Sequence, residues 1–441
     1  MPDQSPPTPD RRPTRAQTSS PERSAPDASH STDPALPDSD RPSRRSFLSR
    51  VGGATAGIAA TAGLGATAGC VELLPAMGQE VRYESVDMPD APPPRYREWA
   101  PVQEIESRDN VLPNVVAVPN NDSEAVTGVP LNYGRGFLAG RLDYFGVGFE
   151  NYDLAFSLND YPDNVAVLEG PVAPEEVGAT LLDSGYSAAD RRWDADRYVR
   201  EDIPRTVAVW DGRIVFGIGP ERDAAIQQAL DAHAADDSLA TVNRGFARVT
   251  ERAGLRPFLM VGTNFGGLAD DYALDWSTVG IDYDQDGFYF AYYLLFADER
   301  PSRDDLRDEL ESMEIGENAD AVEIERDGQL AAIEIQMSST TVDSEYDTTN
   351  ELVPQITWGV ENDGETIAIR HEGGDAIPAT YLTLRDGWAD DPAVSPQFAD
   401  EYTTVGPGAS VRVDRSEIDE GPLSIMWEDG ESSIILLEYR P

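Results

Sequence analysis

The spacing of apolar positions predicts an α+β region between residues 111 and 338 that contains two similar stretches. Each stretch has an apolar run, a helix-like segment with an apolar stripe, and two strand-like runs joined by an Asp-Gly turn. In the first stretch, Pro174 suits the first turn of a helix and Gly185 suits the position that ends it. These features predict one β-α-β-β unit.

The second stretch repeats this order of elements with different residues. Ser302 and Asp305 have the spacing of a capping box at the start of its helix, and Asp327-Gly328 repeats the turn at Asp211-Gly212. We therefore expect two degenerate β-α-β-β units that form antiparallel sheets with helices. Because one helix per three strands covers only one face of a sheet, we expect the two sheets to meet face to face.

The run FYFAYYLLF at 288–296 predicts the most buried strand of this region. Both of its faces are apolar, which is typical of a central strand that is covered on both sides. The alternative is that its tyrosines reach an edge of the sheet and form a platform for a ligand.

Short alternating runs separated by turn residues follow a polar linker at 339–354. Their number and spacing over 355–441 predict an antiparallel β-sandwich of the immunoglobulin-like type. The expected fold class is therefore α+β, with this sandwich at the C-terminus.

Charge adds a prediction about the environment. The chain carries 81 Asp and Glu against 34 basic residues, all of them arginine, for a formal net charge of −47. Self-repulsion of this size would loosen a compact fold at ordinary ionic strength, but near 1 M salt the Debye length falls to about 3 Å and screens it. The composition therefore indicates an extremely halophilic archaeon. It also argues against nucleic-acid binding, which needs basic patches.

The first 69 residues predict a disordered leader and an export signal. The sequence SRRSFL, with Arg44, Arg45, Phe47 and Leu48, resembles the twin-arginine signal, which implies export of a chain that has already folded. The Ala/Gly/Thr tract behind it is too weakly apolar for a permanent transmembrane helix.

The tract ends in TAGC, which resembles the lipobox of lipoprotein signals. This resemblance implies cleavage before Cys70, the only cysteine in the chain, and attachment of a lipid there. A two-chain lipid would hold the protein firmly at the membrane. A single cysteine and three histidines also argue against a disulfide framework and a zinc site. The Pro-rich stretch that follows, 70–110, predicts a semi-rigid tether.

Few other residues suggest chemistry. Asp282, Asp284 and Asp286 match the first half of a calcium-binding loop, but Tyr293 stands where the bidentate glutamate is expected. The stretch therefore predicts a hairpin turn, with a loosely bound divalent cation as the alternative, and no other cofactor is expected. Asn121 lies in the sequon Asn-Asp-Ser and is a candidate for glycosylation.

Two further motifs favour structural roles. Gly217 and Gly219 stand between a strand and a helix, but the third glycine of a dinucleotide-binding loop is missing, so a simple turn is expected. His371 follows two isoleucines on one strand face and predicts a buried structural histidine.

A resemblance covers roughly the last 90 residues. The stretch ETIAIRHEGGDAIPATYLTL and the later PLSIMWEDGESSIILLEY resemble the C-terminal β-domain of haloarchaeal type IV pilin-like surface proteins. The resemblance implies an exposed interaction module, although the chain lacks the aliphatic N-terminal helix of those proteins.

The expected protein is a lipid-anchored, non-enzymatic surface protein on the outer side of the cytoplasmic membrane. An apolar or aromatic patch would contact an envelope protein or a small ligand. The alternatives are a secreted hydrolase that uses carboxylates and a solute-binding protein of a transporter. The predicted organisation is 1–69 leader and signal, 70–110 lipidated tether, 111–338 α+β region, 339–354 linker and 355–441 β-sandwich.

Overall fold

Antiparallel strands make up most of the fold. In the computed structural model, the described residues are 81–102, 115–119, 138, 142–160, 163–235, 238–263, 272–284, 287–298, 301–311, 319–338, 353–387, 394–418, 421–428 and 433–441. They all belong to one compact unit, Arg44–Pro441. The mixed α+β class predicted from the sequence is confirmed, with several antiparallel sheets and few helices.

Thirteen strands form one sheet. They are β1 Arg82–Tyr83, β2 Val115–Pro119, β3 Leu154–Asp160, β4 Asp163–Glu169, β5 Ser187–Arg192, β6 Ala195–Arg200, β7 Arg205–Trp210, β8 Arg213–Ile218, β9 Phe258–Gly262, β10 Leu274–Asp284, β11 Gly287–Phe296, β12 Ala321–Asp327 and β13 Leu330–Ser338. Their order is β1-β12-β13-β11-β10-β9-β2-β3-β4-β8-β7-β6-β5. The short pairing of β1 with β12 is parallel, and the other pairings are antiparallel.

Two halves of this sheet have the same strand order. The order β2-β3-β4-β8-β7 corresponds to β9-β10-β11-β13-β12, so both halves have the same strand order when each is followed outward from the pairing of β2 with β9. Both Asp-Gly turns join the last two strands of their half, as predicted, with Gly212 at φ 76° and Gly328 at φ 63°. The prediction that two sheets meet face to face is wrong, because β2 and β9 bond edge to edge and make one continuous sheet.

Five helices with described bounds accompany this sheet. They are α1 Pro174–Asp183, α2 Arg222–Ala235, α3 Leu239–Val242, α4 Arg244–Ala253 and α5 Arg303–Glu311. The helix α1 begins at Pro174, and Gly185 follows its end at φ 83°, as the sequence predicted. The capping box is also present, since Ser302 N donates to Asp305 Oδ2 at 2.7 Å and Asp305 N donates to Ser302 Oγ at 3.0 Å.

Apolar clusters lie on both faces of the sheet. On one face, Val177 and Leu181 of α1 and Leu306 and Leu310 of α5 belong to one large apolar cluster. The opposite cluster includes side chains of α2 and α4. Along β11, alternate residues enter the two clusters, with Tyr292 in the first and Tyr293 in the second. The prediction of a central strand covered on both sides is therefore confirmed.

The Pro-rich stretch predicted as a tether is packed on the fold over residues 81–102. Tyr96 and Trp99 are buried, and the backbone of this stretch bonds to Leu255 and Leu239 through the carbonyl groups of Pro92 and Ala100. We call residues 81–102 the strap. Burial of two large aromatic rings outweighs the polyproline preference of the prolines, so the expectation of a free spacer is wrong for these residues.

The C-terminal region contains two three-stranded sheets and a small two-stranded one. Its elements are β14 Ile356–Asn362, β15 Thr366–Gly374, β16 Ile377–Pro378, β17 Leu382–Asp386, β18 Thr404–Val405, β19 Ser410–Asp414, β20 Leu423–Glu428 and β21 Ser433–Tyr439, with the short helix α6 Phe398–Glu401. The orders are β14-β15-β19, β17-β20-β21 and β16-β18. Side chains from the two larger sheets, among them Trp358 and Trp427, share one apolar core. No helix among the described residues is both long and apolar enough to cross a bilayer.

Candidate functional site

All of the residues predicted to carry localisation lie outside the described residues. These are Arg44, Arg45, Phe47, Leu48 and Cys70, and the same holds for Asn121. Their predicted roles in export, lipid attachment and glycosylation therefore stay predictions.

The predicted aspartate cluster lies at the hairpin between β10 and β11. Asp282 is buried, and its Oδ2 lies 2.6 Å from Nη1 of Arg256. Burial raises the pKa of Asp282 although Arg256 opposes the shift. Asp284 accepts a bond from Gly287 N at 3.2 Å and so supports the predicted hairpin. Asp286 lies outside the described residues. Among the described residues, no group of three His, Cys, Asp or Glu side chains is placed so that it could hold a metal ion.

Two other carboxylates are buried among the described residues, each in a different part of the fold. Asp143 forms an ion pair with Arg205 and accepts a hydrogen bond from the hydroxyl of Tyr186. Burial and the Asp143 charge raise the pKa of Tyr186 well above its usual value. Glu334 accepts a hydrogen bond from Tyr293 Oη at 2.8 Å. Burial and Glu334 raise the pKa of Tyr293 to about 12, so that hydroxyl stays protonated at neutral pH.

A buried polar network connects the thirteen-stranded sheet to the C-terminal region. Arg200, at the end of β6, is only 3% exposed. Its guanidinium lies 2.5 Å from Glu372 Oε2 of β15 and donates to Asp202 at 2.6 and 2.7 Å. It also donates to the carbonyl of Ser184 at 3.1 Å. Burial would lower the pKa of Arg200, but its bonds to Asp202 and Glu372 raise it overall. We call this contact zone the joint.

Glycines allow the close approach at the joint. A Cβ at Gly359 would overlap the carboxylate of Glu372, and one at Gly373 would overlap Oγ of Ser184. A Cβ at Gly185 would lie 2.5 Å from Glu372 Oε2. Glycine at these positions therefore leaves room for the Glu372 carboxylate and the Ser184 hydroxyl.

The residues of the joint coincide with the HEGGD stretch that carries the pilin-like resemblance. Glu372 bonds Arg200, Gly373 lies against Ser184, and Asp375 Oδ2 accepts from Gln355 N at 2.9 Å. His371 is fully buried in the core of the C-terminal region, and its Nε2 lies 2.7 Å from the carbonyl oxygen of Asp375. The prediction of a buried structural histidine is confirmed.

Two more polar contacts belong to the joint. Tyr144 N donates to Thr357 Oγ1 at 3.0 Å, and Phe149 N donates to Gln355 Oε1 at 2.9 Å. No local sequence pattern indicates these partners. Glycines at 359 and 373 within strands were the available signal, because glycine in a strand often marks a close approach of another backbone.

A surface cleft of about 400 Å³ lies beside α4, against the hairpin of β12 and β13. Arg248 lies 2.5 Å from Asp327, and Arg252 lies 2.8 Å from Glu325. Leu330 and Ala332 also line the cleft. The cleft thus presents paired charges of both signs beside an apolar surface.

The glycines at 217 and 219 serve a turn and a helix contact. Gly219 adopts φ 104° between β8 and α2, and a Cβ at Gly217 would lie 2.9 Å from Ile226 of α2. This agrees with the predicted simple turn.

Comparison with known proteins gives no family. No family model matches the chain, and no curated protein matches it. Among solved structures, crystal form III of TP0453 is 12% identical and matches over 54% of this chain and 98% of that chain, with a TM-score of 0.34. Crystal form I of TP0453 is 8% identical over 52% and 90% of the two chains, with a TM-score of 0.35. TM-scores of this size carry no argument about function.

Proposed function

We propose that this protein is a lipid-anchored binding protein on the outer surface of a halophilic archaeon and has no catalytic activity. In this proposal the twin-arginine signal exports the folded chain, and the lipid on Cys70 retains it at the membrane. The supporting observation is that the only cysteine of 441 residues stands where a lipobox-like sequence ends.

The buried carboxylates support a passive role. Among the described residues, Asp143 contacts Arg205, Asp282 contacts Arg256, and Glu334 contacts Tyr293. A glycosidase-type hydrolase would need two carboxylates on opposite sides of one cleft. Instead, these three carboxylates are held by different partners on different strands and loops, as expected of two structural ion pairs and one structural hydrogen bond.

The contact surface in this proposal is charged rather than apolar. The large apolar side chains exposed among the described residues are Val102, Leu182 and Val242. They do not amount to the apolar or aromatic patch that we predicted from the sequence. The cleft beside α4, with its paired arginines and carboxylates, is a concave surface that a charged ligand could contact.

We also propose that the α+β region arose by an internal duplication and that residues 355–441 form an immunoglobulin-like sandwich. The matching strand orders of the two halves support an internal duplication, with the hairpin of β5 and β6 as an insertion in the first copy. The shared core of the two three-stranded sheets supports the immunoglobulin-like assignment of residues 355–441 and its role as an interaction module.

The test is to replace Cys70 by serine in a cell that expresses the full chain. The variant should appear in the medium, while the wild type and a conservative variant of the same tract, Thr61→Ser, stay with the membrane. Intact mass of the mature wild type should show a lipid on Cys70 and loss of the leader. Retention of Cys70→Ser at the membrane would contradict the proposal.

Export is tested separately through the arginine pair. Replacing both Arg44 and Arg45 by lysine preserves charge but removes the twin-arginine feature, so the chain should accumulate in the cytoplasm. Normal export of this variant would contradict the proposed route while leaving the anchor proposal intact.

A further inference from the structure

The cleft beside α4 is built on two ion pairs of the same kind. Arg248 of α4 pairs with Asp327 of β12, and Arg252, one helical turn further along, pairs with Glu325 of the same strand. Side chains four apart on a helix share a face, as do side chains two apart on a strand, and both spacings are roughly 6 Å. The two ion pairs therefore stand side by side along the cleft.

The floor of the cleft is apolar. Leu330 and Ala332 of β13 line it, and both are buried. In the register of the hairpin, Leu330 lies opposite Asp327 and Ala332 lies opposite Glu325. Residues directly opposite in an antiparallel pair point to the same face of the sheet. Each carboxylate of β12 therefore has an apolar neighbour on the adjacent strand.

The two arginines keep hydrogen-bond donors for a further partner. The bonds that Arg248 and Arg252 donate to β12 all use Nη2, and the two side chains are 38% and 45% exposed. A guanidinium carries five N–H donors in a planar fork, so its Nε and Nη1 can bond another acceptor. Together the arginines can bind one carboxylate of a ligand while their bonds to the strand persist.

The mixture of charges selects the kind of ligand. Besides the two arginines, the cleft is lined by the carboxylates of Glu251, Glu325 and Asp327. A simple anion would meet these carboxylates and a simple cation would meet the guanidinium groups, so like charges disfavour both. At about 1 M salt the Debye length is only about 3 Å. Recognition there depends on direct contact with both kinds of charge and on the apolar floor.

From this arrangement we propose that the cleft binds a free aliphatic α-amino acid. Its carboxylate bonds the two arginines, its ammonium group contacts the carboxylates of β12, and its side chain covers Leu330 and Ala332. The volume of about 400 Å³ is in the range of small-molecule sites. This inference rests on the proposed binding function and names the ligand class of the cleft.

The test is equilibrium dialysis of the full-length protein against radiolabelled L-leucine at about 1 M salt. Each of the competing analogues lacks one recognised group: isocaproate lacks the ammonium group, isoamylamine lacks the carboxylate, and glycine lacks the side chain. Each should compete at least about tenfold more weakly than unlabelled L-leucine, because each gives up one set of contacts. The inference is overturned if L-leucine does not bind at about 10 mM, or if any analogue competes equally well.

Variants locate the binding site. Arg248→Gln and Arg252→Gln each remove a guanidinium from a half-exposed ion pair, so the chain should still fold but bind L-leucine at least about tenfold more weakly. The matched control is Arg307→Gln, which removes an exposed arginine paired with Glu311 on α5 and should bind like the wild type. Circular dichroism at the same salt shows whether each variant is folded. Unchanged binding in both folded cleft variants, or an equal loss in the control, would overturn the site.

Failure of this inference can be told apart from failure of the anchor proposal. Cys70→Ser changes no residue that lines the cleft, so it should bind L-leucine as the wild type does, whether or not it leaves the membrane. Loss of anchoring evidence with L-leucine binding retained contradicts the anchor alone. Anchoring without L-leucine binding contradicts the ligand class alone.

Discussion

At the scale of single residues, arginine neutralises the carboxylates that the fold buries. All basic residues in this chain are arginine, whose planar guanidinium can bond several acceptors at once. Arg200 does so with two carboxylates and a carbonyl, and Arg256 connects Asp282 to the carbonyl of Pro89 in the strap. Arginine therefore makes the polar contacts that connect distant segments.

Replacing Arg200 by methionine should destabilise the protein markedly. The change leaves Glu372 and Asp202 close together without their cation, and breaking a buried ion pair costs about 3 kcal/mol. The matched control is Arg191→Met, whose guanidinium is 69% exposed beside the exposed Asp196. Such surface pairs contribute about 0.5 kcal/mol. Urea unfolding at constant high salt measures both, and equal losses would contradict the structural importance of the joint.

His371 should make stability depend on pH. Burial lowers its pKa below the ordinary 6.5, so the unfolded chain binds a proton more readily than the native one. Its contribution is complete above pH 6.5 and is lost as pH falls from 6.5 toward the native pKa. His371→Gln removes this titration and keeps an amide that can donate to Asp375. The difference in unfolding free energy between wild type and variant should shrink with acidification over that window, and a constant difference would refute the assignment.

At the scale of elements, sequence patterns located local features well. The start of α1, the capping box of α5, the two Asp-Gly turns and the buried β11 all follow from residues within a few positions of one another. Edge pairing of β2 with β9 and the joint depend on partners far apart in the chain. Glu372 and Arg200 are 172 positions apart by their numbers, so no local pattern could have revealed their contact.

The strap shows how a local preference is overridden. Three consecutive prolines, Pro92 to Pro94, favour extended backbone, and the sequence therefore predicted a spacer. An extended backbone can form a free spacer, but it can also pack along the surface of a domain when it carries large aromatic side chains. Tyr96 and Trp99 follow the prolines directly and become buried beneath α2 and α4.

Trp99→Ala should therefore lower the free energy of unfolding of the domain, whereas a change in a free linker would leave it unchanged. The ring stacks on His233 with centroids 4.0 Å apart and contacts Phe156 at 6.2 Å. Removing a buried ring of this size costs about 3–5 kcal/mol. The control Val102→Ala, at a half-exposed position of the same strap, should cost far less. If thermal unfolding in high salt gives similar values for both, the strap is not part of the core.

At the scale of the whole molecule, net charge and the buried ion pairs respond differently to salt. The −47 charge is distributed over the chain and repels itself through solvent, where ions screen it. Pairs such as Arg205 with Asp143 are buried, so mobile ions screen them little. Salt should therefore control whether the chain folds, while the buried pairs determine how its parts are joined.

Lowering salt to about 0.1 M should unfold the protein, because the Debye length then grows to about 10 Å and neighbouring carboxylates repel one another. Circular dichroism in a salt titration measures this. If repulsion is the cause, protonating surface carboxylates should substitute for salt, so mild acidification toward the sequence pI of about 4.1 should restore part of the folded signal at low salt. Adding sucrose at the same low salt is the control, since it strengthens apolar burial without screening charge. A spectrum unchanged at 0.1 M, or rescue by sucrose alone, would show that charge repulsion does not govern folding here.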